Sequence, residues 1–318
     1  MKEKVFSPVC GNSLMRGVFS TLDKVLDSSA PVFVTGETGV GKEVVTDYIH
    51  RNGNRAEYPC LKINCAALPK ELIESELFGS IRGSYTGSHS TQEGLFRSAG
   101  RGILVLDEIG EMDIKAQTKL LRVLQDKLVR PVGGVKDFDI HCRVIASTNK
   151  DPLQSIANGK LRSDLFYRLN VVRIEVPSLS DRGEDIPLLA KLFIEKYSKE
   201  EGKEIRCSIE PDLFKFLSKL SWPGNVRQLE NEIRRVIIMN EGEEISPSNF
   251  DFVRPEKLLA NLTLFERNER SLILKVLGET KGDKLRASSR LGIGRQTLYN
   301  KISKYEMDDE IRLVKKIS

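Results

Sequence analysis

One glycine-rich stretch restricts this chain more than any other. It reads Thr35-Gly36-Glu37-Thr38-Gly39-Val40-Gly41-Lys42-Glu43. Before it stands the apolar run Pro31-Val32-Phe33-Val34, and after it Val45, Tyr48 and Ile49 recur at helical spacing. Strand, glycine loop and helix in succession are the setting of a phosphate-binding loop. Glycines let backbone N–H groups turn inward without Cβ clashes. The helix N-terminus adds partial positive charge where phosphates sit, and Lys42 reaches the terminal phosphates as a mobile point charge. Such loops usually place a Ser or Thr after the lysine to meet Mg2+, but here that residue is Glu43. The metal must therefore depend on another carboxylate and on water.

The remainder of the chain suits that loop. Its 318 residues are enough for two or three compact units. With 40% hydrophobic and 30% charged residues it reads as a soluble globular protein, and no apolar run approaches the ~20 residues of a membrane helix. Met1-Lys2-Glu3-Lys4 leads into no signal-peptide core. The five cysteines (10, 60, 65, 142 and 207) form no CxxC pair and read as reduced thiols of a cytoplasmic protein. The three histidines have no ligand spacing, which argues against a structural metal.

Beta-rich runs recur at Val32–Thr35, Leu61–Asn64, Ile103–Leu106, Arg143–Ser147 and Val171–Val176, with helical stretches between them such as Ile114–Gln125. This alternation predicts an α/β fold with a doubly wound parallel sheet, whose ligands gather beyond the carboxyl ends of the strands. After Pro177 the strand pattern stops and helical spacing takes over. The expected division is an α/β unit over residues 1–176, a helical subdomain over 177–248, a polar linker over 249–260 and a small all-helical unit over 261–318. Charge is unevenly spread: from Lys281 to Ser318 ten Lys/Arg face five Asp/Glu, so this end carries the whole net charge of +5. A neutral body with a basic end suggests nucleic acid as a C-terminal partner.

The strand ends hold the chemistry. Ile103-Leu104-Val105-Leu106-Asp107-Glu108 puts two acids at the end of a buried strand. Asp107 suits Mg2+, directly or through water, and Glu108 suits orienting and deprotonating an attacking water. Arg143–Asn149 ends in hydroxyl and amide groups, and there Thr148 or Asn149 can touch a γ-phosphate or that water.

Taken together, these stretches resemble the AAA+ activators of sigma-54 RNA polymerase, the NtrC type, from Ser7 to Tyr305. The likeness rests on the loop with its atypical glutamate, Asn64-Cys65-Ala66-Ala67-Leu68, Glu76-Leu77-Phe78-Gly79, Leu106–Glu111, Lys119–Gln125 and Trp222–Asn231. It implies an AAA+ core with a helical lid and a Fis-type helix-turn-helix. It also implies ATP and Mg2+ held by Gly36–Glu43, Asp107 and Asn149. Asn64 would hydrogen-bond Glu108 until the target binds. Arg162 and Arg168 would reach a neighbour's nucleotide in a hexameric ring, and Arg227 would report nucleotide state to the lid. Trp222 reads as core packing. Gly83-Ser84-Tyr85-Thr86-Gly87-Ser88 occupies the place of the family's sigma-gripping loop, with Ser84, Tyr85 and Ser88 departing from its usual residues; Asp126–Asp139 resembles the second inserted loop, which moves the first.

At the C-terminal end, Leu262–Leu277 reads as a helix with one packed face, followed by two short helices joined at Gly292. Arg295, Gln296, Thr297, Asn300, Lys301 and Lys304 lie on or near the exposed side of the second. Of these, Arg295, Gln296 and Asn300 suit base edges, while Lys301 and Lys304 suit phosphates. The resemblance thus implies a cytoplasmic, enhancer-binding ATPase that remodels sigma-54 polymerase. With no receiver ahead of the glycine loop, control is expected from a separate regulatory protein or from expression level. Two alternatives share parts of this reading. A nucleotide-binding repressor with an unproductive sigma loop is one, and a replication initiator or helicase loader, which leaves residues 83–88 unexplained, is the other.

Overall fold

The structure is a computed structural model; it describes residues 8–83, 90–203, 211–240, 244–250, 263–280 and 283–305, together with Phe6 and Gly242. Contacts divide the chain into two units, residues 1–251 and 252–318.

In the first unit nine strands are numbered in chain order: β1 Val32–Thr35, β2 Cys60–Asn64, β3 Gly79–Ser80, β4 Gln92–Glu93, β5 Ile103–Asp107, β6 Leu128–Val129, β7 Phe138–Asp139, β8 Arg143–Thr148 and β9 Val172–Glu175. Five of them form a parallel sheet in the order β2-β5-β8-β1-β9. Successive side chains of a strand point to opposite faces. Leu104 and Leu106 of β5 therefore enter one core with Phe33, Leu120 and Phe166, while Ile103 and Val105 enter another with Val34, Tyr48 and Ile174. Burial on both faces is why β1 and β5 read as unbroken apolar runs, while the edge strands β2 and β9 expose alternate residues. Each lies within a residue or two of its expected place.

The lid contains the helices Asp185–Glu200, Pro211–Lys219 and Asn225–Met239. Trp222 is buried at 3% exposure, and its indole N–H donates to Leu217 O (3.0 Å), as core packing requires. Lys203 closes the last of these helices: its ammonium donates to Ile237 O (2.8 Å), Ile238 O (2.9 Å) and Asn240 O (2.8 Å). There the ammonium satisfies carbonyls that lack helical partners and complements the negative end of the helix dipole. Packing continues to Phe250, buried with its ring 6.3 Å from that of Phe216. The helical subdomain therefore runs past residue 248, where the linker was expected to begin.

The second unit holds helices Leu264–Glu279, Lys284–Leu291 and Arg295–Lys304 around Ile273, Leu277, Ala287, Leu298, Ile302 and Tyr305. Gly292 ends the middle helix with φ +68°, a left-handed turn that glycine takes without strain. Thr263 and Glu266 form a capping box at the start of the first helix. The Lys304 ammonium, then the Thr263 N–H and hydroxyl, hold the Glu266 carboxyl down at about 2. In the unfolded chain that group titrates at about 4.3, so its contribution is complete above that pH and is lost as pH falls towards 2. Wild type and Glu266→Gln should therefore differ in the stability of this unit at neutral pH and converge across that acid window, read by chemical denaturation at each pH. Among the described residues, no helix is long and apolar enough to cross a membrane.

Candidate functional site

The glycine loop joins the end of β1 to the helix Lys42–Asn52, and the lid grips it mostly through its main chain. Asn225, buried at the start of its helix with φ +53°, donates through Nδ2 to Glu37 Oε2 (3.0 Å) and Thr38 O (3.1 Å) and accepts from Leu179 N at 2.7 Å. Asparagine is among the few residues that tolerate this left-handed backbone. Arg227 N donates to Gly39 O (3.2 Å). Arg182, buried, donates to Val40 O and pairs with buried Asp185 at 3.7 Å, while Asp185 accepts from the N–H groups of Gly11 (2.6 Å) and Asn12 (2.8 Å). Three stretches distant in sequence thus meet at the loop.

Gly39 is where that approach is closest. Its φ is +78°, and a Cβ there would lie 2.4 Å from Gly224 O. Gly39→Ala is therefore expected to push the lid off the loop and weaken adenine-nucleotide binding at least about tenfold, since left-handed backbone alone costs an L-residue roughly 1–2 kcal/mol. Titration with a fluorescent nucleotide checks this.

Parallel pairing of β1, β8 and β5 brings their carboxyl ends together. Lys42 Nζ donates to Gly36 O (2.9 Å) and Glu37 O (3.3 Å) and stands 3.9 Å from Glu108 Oε1. Burial lowers the Lys42 pKa, against the opposing pull of the Glu108 and Asp107 charges. Asp107 Oδ1 accepts from the Ser147 hydroxyl (2.6 Å). Glu108 turns off the strand at φ +53°, ψ +51°, and its Oε2 accepts from Asn149 N (3.0 Å). Asn149 Nδ2 donates in turn to Thr38 Oγ1 (2.9 Å). Lys42, Asp107, Glu108, Asn149 and Thr38 thus form one connected site, with Gly36, Gly39, Val40 and Gly41 supplying its backbone.

Two expectations need correction. Asn64 ends β2 opposite Asp107, but its Oδ1 accepts from Ala66 N (2.8 Å), closing a turn of its own. Asn149 N holds Glu108 instead, because β8 is the other neighbour of β5 and ends in the loop that crosses above it. Glu43 leaves the site: Lys62 on β2 bonds both Glu43 Oε1 and Asp47 Oδ1 at 2.7 Å. The donor set suits Mg2+, which takes one or two carboxylates together with substrate phosphates. Among the described residues there is no cluster of three or more His, Cys, Asp and Glu. Nearby Cys65 is no competitor, since burial, then the Asp107 and Glu108 charges, pushes its thiol up to about 12.

Arg162, Arg168 and Arg227 have no described bond to these carboxylates. Asp164 grips the Arg162 guanidinium at 3.0 and 2.7 Å, Arg168 donates to Leu124 O at 3.2 Å, and the Arg227 side chain is exposed. Of residues 83–88 only Gly83 is described; Ser84, Tyr85, Thr86, Gly87 and Ser88 lie outside the described residues. The base of that loop is built. β3 pairs antiparallel with β4, and Val132 joins β3 through Ile81 N to Val132 O (3.1 Å) and Val132 N to Gly79 O (2.8 Å). Val132 belongs to the β6–β7 hairpin, whose arms are tied by Arg130 and Asp137 through two bonds of 2.7 Å. The two inserted loops therefore share a backbone ladder.

In the C-terminal unit Arg295, Gln296, Thr297 and Asn300 are exposed along the last helix, with Gln296 Nε2 donating to Asn300 Oδ1 (3.3 Å). Lys301 is half-buried and Lys304 exposed, and both are paired within the unit. They bond Glu269 (2.6 Å) and Glu266 (2.7 Å), and Tyr305 Oη also donates to Glu269 (2.5 Å). Packing of the first and third helices sets those opposite charges side by side.

Three family descriptions match the chain in tandem: the sigma-54 interaction domain over residues 9–175, the AAA+ ATPase lid domain over 180–257, and the bacterial regulatory protein, Fis family, over 265–305. The chain belongs to the sigma-54 activator family. Regulatory protein AtoC of Escherichia coli is 41% identical over 90% of this chain and 64% of its own length. The DNA-binding transcriptional regulator NtrC of Salmonella typhimurium is 39% identical over 92% and 69%. A crystal structure of Brucella abortus NtrX in complex with ATP superposes with a TM-score of 0.70 at 32% identity, covering 96% of this chain and 70% of that one. This chain therefore spans about two thirds of the length of such relatives.

In this member of the sigma-54 activator family, sequence reasoning missed the work of Asn225 and Ser147 and the bond between Thr38 and Asn149. Asn225 had a signal: a Gly-Asn pair before a helix marks a backbone reversal. Ser147 had none, because its partner is set by the register of β8 against β5.

Proposed function

We propose that this chain binds ATP and Mg2+ between its glycine loop and lid, hydrolyses the nucleotide within a hexameric ring, and spends the energy remodelling sigma-54 RNA polymerase at promoters reached from double-stranded enhancer DNA. The observation that carries this reading is the meeting of Lys42, Asp107, Glu108 and Asn149 at the ends of adjacent strands. In it, Lys42 exchanges the Gly36 and Glu37 carbonyls for phosphate oxygens. Glu108, steered by Asn149 N, takes a proton from the attacking water. Asp107 holds Mg2+, which when bound neutralises charge on the transferring phosphoryl oxygens.

Arg162 and Arg168 act on the neighbour's nucleotide, and Arg227 passes nucleotide state to the lid. Gly83–Ser88 grips sigma, with Val132 coupling the second loop to its base. Arg295, Gln296, Thr297 and Asn300 read DNA, and Lys301 and Lys304 meet phosphates by exchanging Glu269 and Glu266. The setting is the cytoplasm.

Hydrolysis per subunit should rise with protein concentration as rings assemble, and reconstituted sigma-54 polymerase should open a promoter only when both the protein and ATP are present. Failure to hydrolyse ATP at any concentration overturns the reading. Hydrolysis without promoter opening at saturating protein would favour a DNA-binding repressor instead.

A further inference from the structure

Gln117 lies on the helix Ile114–Asp126, is 0% exposed, and touches no residue assigned to the site above through its own chemistry. All of its described hydrogen bonds go to main chain. Nε2 donates to Met112 O (2.8 Å) and to Lys160 O (2.7 Å), and Oε1 accepts from Arg162 N (2.9 Å). Those partners belong to two functional stretches. Met112 closes the turn Ile109–Glu111, which begins immediately after Glu108. Lys160 and Arg162 flank Leu161 and lead into the helix Ser163–Leu169, which carries Arg168. One planar amide therefore holds the segment leaving the carboxylates against the segment bearing both arginines.

A buried polar side chain of this kind is costly unless satisfied. An apolar residue of similar size would fill the space equally well but could not fix the distance between two irregular backbones. The other described Arg162 contacts are local: Asp164 holds the guanidinium, and Arg162 O accepts from Phe166 N (3.0 Å) within the start of its own helix.

We propose that Gln117 is a positioning residue: it sets the backbone of Arg162, and with it the helix of Arg168, from the position of the Asp107–Glu108 strand end. The state of one subunit's nucleotide site is thereby passed to the arginines that serve the next subunit. This rests on the reading above that those arginines act in trans.

Gln117→Leu should lower kcat for ATP hydrolysis about a hundredfold, the scale expected when a catalytic group is displaced by about 1 Å. KM and nucleotide Kd should stay within about threefold, because the variant's own glycine loop is untouched. Gln117→Glu keeps the acceptor for Arg162 N but loses both donors, and should fall between wild type and Gln117→Leu.

The decisive measurement is mixing before ring assembly. Asp107→Ala subunits keep well-placed arginines but lack a working site, so mixing them with Gln117→Leu subunits should restore turnover above the sum of the two alone. A role confined to folding would give no restoration. A mixture of Asp107→Ala with Arg168→Ala serves as control. If the control recovers activity and the Gln117→Leu mixture does not, the positioning role is wrong. If neither recovers, the trans reading fails and takes the proposal with it. Unchanged kcat in Gln117→Leu also overturns it.

Discussion

Arg168→Ala is expected to lower ATP turnover by about 10³–10⁵-fold, the range measured when an arginine supplied to a nucleotide site is removed. In its own subunit this side chain is exposed and donates one hydrogen bond, to Leu124 O at 3.2 Å. Losing such a bond costs about 0.5–1.5 kcal/mol of stability, so the variant should fold, bind ATP and melt close to wild type. The loss should appear in kcat and leave nucleotide Kd nearly unchanged, because the guanidinium acts on charge that develops only in the transition state. A stopped-flow phosphate-release assay beside a nucleotide titration separates the two. Turnover within tenfold of wild type would leave Arg168 a surface cation.

Asp107→Ala should abolish hydrolysis for a different reason. The carboxylate accepts from Ser147 and is the acid proposed to hold the metal. Without it the phosphoryl charge loses a neutralising partner worth several kcal/mol, which at about 1.4 kcal/mol per decade is a loss of at least about 10³-fold. Alanine also strands the buried Ser147 hydroxyl, at about 1–3 kcal/mol of stability. Asp107→Asn keeps an acceptor for that hydroxyl, so it should be as stable as wild type yet inactive. Thermal unfolding and turnover measured on both variants separate the two effects, while DNA binding should survive in each.

How much of this was legible from residues alone depends on what fixed each feature. The sheet was, because strands buried on two faces must be apolar throughout, as Ile103–Leu106 is. The glycine loop was, because Lys42 and its glycines are neighbours in the chain. The holder of Glu108 was not. Asn64 and Asn149 both end strands next to β5, and which one reaches the carboxylate depends on the turn that follows each strand. Lys301 and Lys304 were read as DNA-facing because their partners stand 32 and 38 residues away, brought near only by helix packing. Gln117 sat within a stretch correctly read as helical, and nothing in that spacing reveals an amide bridging two loops.

The Arg182–Asp185 pair carries a consequence for anyone shortening this protein. Asp185 is capped by the N–H groups of Gly11 and Asn12, and Arg182 by Val40 O. Cutting the chain after residue 12 would therefore leave a buried carboxylate with nothing to replace two amide donors. Gly11 and Asn12 thus act as a plug at the start of the lid, and a version trimmed past them would fail there, far in sequence from the cut.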